Sequence, residues 1–141
     1  MSDLTVVTPP DKYITTNCSI LLVCPSMFIK QSFQNLVEEF DHSFTLYIIE
    51  DDEIGNYGLP DRDLVSWLLY HARIADFVIL DLDNMSSLTR KFESLILSNG
   101  NSYWLTKAED SLYNIININK IYDLDSIKTK IGEKIVKATL G

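Results

Sequence analysis

Ile20-Leu21-Leu22-Val23-Cys24-Pro25-Ser26 decides the fold. Five apolar residues in a row, then a proline and a helix-capping serine, are what a strand shows when both its faces are covered and a helix follows. Outward from it the same rhythm repeats. Ile29, Phe33, Leu36, Val37 and Phe40 recur at the three-and-four spacing of a helix that packs one face on a sheet. Thr45-Leu46-Tyr47-Ile48-Ile49 reads as a second strand, running into the acidic cluster Glu50-Asp51-Asp52-Glu53. Asp61, after Pro60, is expected to cap a second helix reaching about Ile74, and Phe77-Val78-Ile79-Leu80 makes a third buried strand ending at Asp81-Leu82-Asp83-Asn84.

A third helix is expected from Ser86 or Ser87, with Leu88, Phe92, Leu95 and Ile96 on its core face. Ser102-Tyr103-Trp104-Leu105 and Tyr113-Asn114-Ile115-Ile116 read as shorter fourth and fifth strands. Asp123 caps a last helix with Leu124, Ile127, Ile131 and Ile135 inward. Residues 1–17, with Pro9-Pro10 and no period, read as an extended arm, and residues 18–141 as one α/β domain. Strands alternating with helices of this length force a mostly parallel sheet with right-handed crossovers and helices on both faces. The expected architecture is three layers around five strands in the flavodoxin-like order 2-1-3-4-5, with any ligand in the crevice at the carboxyl ends of the first and third strands.

Composition narrows the partners. A chain of 141 residues with 46% hydrophobic residues can bury a real core. Its 12 Lys and Arg against 20 Asp and Glu leave a net charge of −8, which repels a phosphate backbone, so nucleic acid is not an expected partner. With no apolar run of about 18 residues and no leader pattern, neither a membrane span nor secretion is expected, and the reading is intracellular. Cys18 and Cys24 bracket one strand, about 20 Å apart at roughly 3.3 Å per residue, which is too far for a disulfide. Reduced thiols in a reducing compartment follow.

Three partial motifs lie near the expected crevice. The stretch Ala75-Asp76-Phe77-Val78-Ile79-Leu80-Asp81-Leu82-Asp83-Asn84-Met85 resembles the third strand of response-regulator receiver domains. That resemblance implies a phosphoaccepting role for Asp81 and a hydroxyl role for Thr106. Receivers hold magnesium with an acidic pair after the first strand, where this chain has Cys24 and Pro25, so magnesium is at most weakly implied. Asp51 and Asp52 come from a strand two spacings away, about 9.6 Å, too far to share one ion directly with Asp81. Lys120 is the nearest counterpart of the receiver lysine. The plainer reading is that Asp81 and Asp83 turn the chain and cap the next helix.

Cys24-Pro25-Ser26-Met27-Phe28-Ile29-Lys30 puts a cysteine at a strand end before a helix amino terminus, where amides and the helix dipole favour a thiolate or a phosphate. It resembles the phosphocysteine loop of sugar-transport IIB subunits and the Cys-x5-Arg loop of low-molecular-weight tyrosine phosphatases. Those loops use small residues to wrap a phosphate, whereas Met27, Phe28 and Ile29 are bulky and Lys30 stands in for the arginine. A small buried thiol is the plainer reading. The Ala-Asp-apolar strand with a downstream glutamate, here Glu93, also resembles nucleoside deoxyribosyltransferases, implying nucleoside binding; a solvated Glu93 is the plainer reading. A small domain that keeps this rhythm without the signature loops resembles, in addition, small proteins of tailed phages.

A different signal sits on the second helix. Leu64, Val65, Leu68, Leu69 and Ala72 form an arc sufficient to pack on the sheet, and Trp67, Tyr70 and Ile74 form a second stripe. Trp and Tyr are enriched at interface hot spots, so this stripe is the expected surface for a protein partner or a second copy; the alternative is that loops or the amino-terminal arm cover it. His42 and His71 have no spaced companions, so no metal site is expected. The leading expectation is a non-catalytic interaction or self-associating module. The competing ones are a phosphoacceptor or phosphotransfer enzyme using Cys24 or Asp81 in a crevice with Ser26, Phe28, Asp83 and Thr106, and a nucleoside-binding protein.

Overall fold

A computed structural model describes residues 4–12, 18–40, 42–50, 58–81, 102–105, 119–121 and 124–140. The chain is α/β. Six strands, β1 (Leu4–Val7), β2 (Cys18–Val23), β3 (Phe44–Ile49), β4 (Phe77–Asp81), β5 (Ser102–Leu105) and β6 (Asn119–Ile121), form one sheet in the order β1-β3-β2-β4-β5-β6. Each of the five neighbouring pairs is parallel. The described helices are α1 (Met27–Glu38), α2 (Asp61–Ile74) and α3 (Leu124–Leu140).

The continuous apolar runs have the cause their sequence implies: both faces of the sheet are covered. Successive side chains of a strand point to opposite faces. Leu21 and Val23 of β2, Tyr47 and Ile49 of β3, and Val78 and Leu80 of β4 therefore pack against Trp67, Leu68 and Ala72 of α2. Their neighbours Ile20, Leu22, Phe44, Leu46, Ile48, Phe77 and Ile79 pack on the other face against Phe33, Leu36 and Val37 of α1 and Ile127 and Ile131 of α3. Helix, sheet and helix make three layers.

The sheet departs from a five-stranded one at its edge. Leu4–Val7, within the expected arm, adds β1 beside β3, with Leu4 opposite Phe44 and Val7 opposite Tyr47. The expected fifth strand at 113–116 lies outside the described residues; the strand beside β5 is Asn119–Ile121. The expected third helix, with Leu88, Phe92, Leu95 and Ile96, lies outside them too.

Helix starts follow cap chemistry in one case and not in another. Ser26 caps α1, its Oγ accepting from the Ile29 N–H at 3.2 Å. Asp61 does not cap α2: it is the first helical residue, and Pro60 holds the cap position with no side-chain bond. Pro60 contributes its carbonyl to the Asp63 and Leu64 amides, while Asp61 and Asp63 place negative charge in the first turn, where the helix dipole favours it.

Candidate functional site

In an open parallel sheet, the crevice expected to hold ligands lies beyond the carboxyl ends of the strands where the order reverses, here β2 and β4. The lip after β2 is fully described. Cys24 takes a left-handed backbone, φ +54°, an uncommon conformation for a residue with a side chain, and it is completely buried. Its N–H donates to the Ile49 carbonyl at 2.8 Å. Pro25 is buried and has no N–H to offer, and the Ile29 N–H is taken by Ser26.

A phosphate-wrapping loop needs its amides directed at the anion. The Cys24 and Ile29 amides are committed elsewhere and position 25 lacks one, so these three positions offer no N–H to an anion in this conformation. The cation that such a loop would use is also engaged, because Lys30 forms an ion pair with Glu50 at the end of β3. That pair joins the first turn of α1 to the neighbouring strand and neutralises the local positive charge.

Two side chains do face solvent there. Met27 is 77% exposed and Phe28 is 72% exposed, the largest exposures among the described large hydrophobic residues. They begin α1, after the buried Cys24 and Pro25 and the capping Ser26.

Asp81 ends β4, in register with Leu105 of β5, and so sits at the carboxyl edge. Asp83, Thr106, Asp51, Asp52 and Glu93 lie outside the described residues. Lys120 falls in the middle of β6, in register with Trp104. Among the described residues no three His, Cys, Asp or Glu side chains group as metal ligands would, and no helix is long and apolar enough to cross a membrane.

The second-helix stripe is not a free surface. Trp67 is only 2% exposed, and its indole N–H donates to the Asp11 carbonyl at 2.6 Å. The amino-terminal segment covers it. Tyr70 and Ile74 are half-buried, Ile74 packing against the core, and the Lys12 ammonium lies 5.2 Å from the Tyr70 ring centroid. Trp67 is therefore a core residue rather than an interface residue.

His71, which the spacing of companions alone leaves unassigned, is the residue that sequence reasoning missed. It is wholly buried, and its ring lies 4.1 Å from that of Trp67 and 4.6 Å from that of Tyr47. A usable signal was present: position 71 is seven residues after Leu64 and three after Leu68, on the face that packs on the sheet.

The thiols make a direct test of cysteine chemistry. Cys18 is buried at the other end of β2; desolvation first, then the nearby Asp76 carboxylate, push its thiol up to about 12, with Lys134 opposing. Such a shift lowers the thiolate fraction at neutral pH about a thousandfold. Cys24 is inaccessible at 0% exposure. Both are expected to react with an aromatic disulfide reagent at least about a thousandfold more slowly in the native chain than in urea, followed by absorbance. Rapid native modification of Cys24 would restore the nucleophile reading. No family model matches the chain, and no curated protein matches it.

Proposed function

We propose that this chain is a non-catalytic interaction module of receiver-like, flavodoxin-like fold, working through contact with another protein, a second copy of itself first. The run β3-β2-β4-β5-β6 supports the fold reading, since it follows the order expected for such a sheet with β1 added at one edge. The observation that carries the functional reading is the adjacent, exposed Met27-Phe28 pair at the crevice lip, where a small-molecule site would need short residues and open amides.

Aromatic and methionine side chains are enriched in interface cores, because each removes a large apolar area from water on contact. The contact surface thus moves from α2 to the start of α1. The net charge of −8 supports a protein rather than a nucleic-acid partner.

Light scattering on the native chain and on a Met27→Asp, Phe28→Asp double variant tests this. The expected result is a native mass above 16.1 kDa falling to 16.1 kDa in the variant, with the circular dichroism spectrum unchanged. Equal masses for the two chains would remove Met27 and Phe28 as the self-association surface.

A further inference from the structure

The segment that follows β1 crosses α2 without a helix of its own. Pro9 is buried, the Asp11 N–H donates to Thr8 O at 3.0 Å, the Asp11 carbonyl receives the Trp67 indole, and Lys12 rests over Tyr70. Directly beneath, His71 is enclosed by three rings: Trp67, Tyr47, and Tyr70 at 5.0 Å edge-on. Its Nδ1 lies 2.8 Å from the Trp67 carbonyl, an arrangement in which Nδ1–H donates. Nε2 is then the bare acceptor, buried and without a hydrogen-bond partner among the described residues.

We propose that residues 4–12 form a latch that is closed over neutral His71 and opens when His71 takes a proton. An imidazolium would carry an Nε2–H with no acceptor into a site closed to water, an unfavourable way to bury a charge. The groups around it do not compensate. From the strap comes Lys12, a cation; from β3 and α2 come the rings of Tyr47 and Tyr70. Residues 11, 63 and 73, the other charged positions of the strap and of the nearby turns of α2, are exposed. β1 and β4 bring only Val7, Val78 and Leu80 to this cluster. Cation–π attraction from the rings offsets part of the cost, but Nε2–H would still lack an acceptor.

The strap is the element that can yield. β1 is four residues long and, among the described strands, pairs on one side only, whereas β2 and β3 each pair on both. A strand at the edge of a sheet, paired on one side only, opens locally at a lower cost than the core. Opening would hydrate His71, relieve the repulsion with Lys12, and uncover residues 44–47 of β3, the length now paired with β1.

The sign follows from linkage. Desolvation first, and Lys12 second, lower the pKa of closed-state His71 below 6.5, the Trp67 carbonyl opposing, while in the open state it returns to the ordinary value. Latch stability is complete above about pH 6.5 and is lost as pH falls below it, until pH passes below the closed-state value. One proton allows at most about a tenfold rise in the opening constant per pH unit.

Hydrogen exchange of the native chain from pH 8 to pH 5, corrected for intrinsic rates, tests the latch, with the His71 ring followed by NMR. Protection of the β1 amides is expected to fall by up to about tenfold per pH unit below about 6.5, while Leu21 and Leu22 in β2 keep theirs. Lys12→Gln is expected to shrink the total pH-dependent loss. Unchanged β1 protection down to pH 5, or loss of β1 and β2 protection together, overturns the proposal.

Discussion

Trp67→Ala is expected to lower the unfolding free energy by about 3–5 kcal/mol, read from urea titrations followed by circular dichroism. The indole is 2% exposed in the cluster that joins α2 to β2, β3 and β4, so its removal leaves a cavity that the rigid sheet cannot close. It also leaves the Asp11 carbonyl without its donor and the His71 ring without one of its stacking faces. Trp67→Phe separates these effects. It retains most of the ring volume and loses the indole N–H, for an expected cost of about 1–2 kcal/mol. Should Trp67→Ala cost under about 1 kcal/mol, the indole would be a surface group and the α2 stripe would return as an interface.

The contrast between what the sequence made legible and what it hid has a physical basis in this helix. β2, β3 and β4 were readable because helices cover both faces, which favours the unbroken apolar runs at 20–23, 46–49 and 77–80. The α1 face was readable because one surface of it is buried; Phe33, Leu36 and Val37 all lie in the core. On α2 the buried face is Leu64, Trp67, Leu68, His71 and Ala72. Treating His71 as polar rotates the apparent face toward Val65 and Leu69, both only half-buried, and strands Trp67 outside it.

The cover over Trp67 comes from a residue 56 positions earlier, and no local pattern encodes that contact. β1 was hidden for a related reason. As an edge strand of four residues it keeps Thr5 and Val6 exposed, so it lacks the apolar run that marks a central strand. At the crevice, Ser26 was legible as a cap, whereas the engagement of Lys30 by Glu50 depends on β3 lying beside β2. The expected roles of Asp83 and Thr106 fall on residues outside those described.

Asp76→Ala is expected to cost about 3 kcal/mol, although Asp76 belongs to the Ala-Asp-apolar stretch that invites a catalytic reading. Asp76 sits just before β4, at the amino end of the sheet. One carboxylate oxygen accepts from the Ser19 N–H at 2.9 Å and is 3.4 Å from the Ser19 hydroxyl; the Asp76 N–H reaches back to the Ser19 carbonyl and hydroxyl, each at 3.0 Å. The other oxygen is 3.1 Å from Lys134 of α3. Alanine would remove the acceptor from a Ser19 that is 3% exposed, and a buried donor left unpaired costs more than a lost surface contact. Lys134 is 48% exposed, so Lys134→Met is expected to cost under about 1 kcal/mol. Asp76→Asn, which retains an acceptor for the Ser19 amide, is expected to fall between the two. This ranking separates the roles. Asp76 closes the start of β4 onto the start of β2 and lies about 17 Å, five residues at roughly 3.3 Å, from the carboxyl edge where Asp81 ends the strand. A carboxylate at that distance cannot share a reacting atom with the crevice. If Asp76→Ala left stability within about 0.5 kcal/mol of the native chain, the Ser19 clamp would carry no weight and a functional reason for the aspartate would have to be sought.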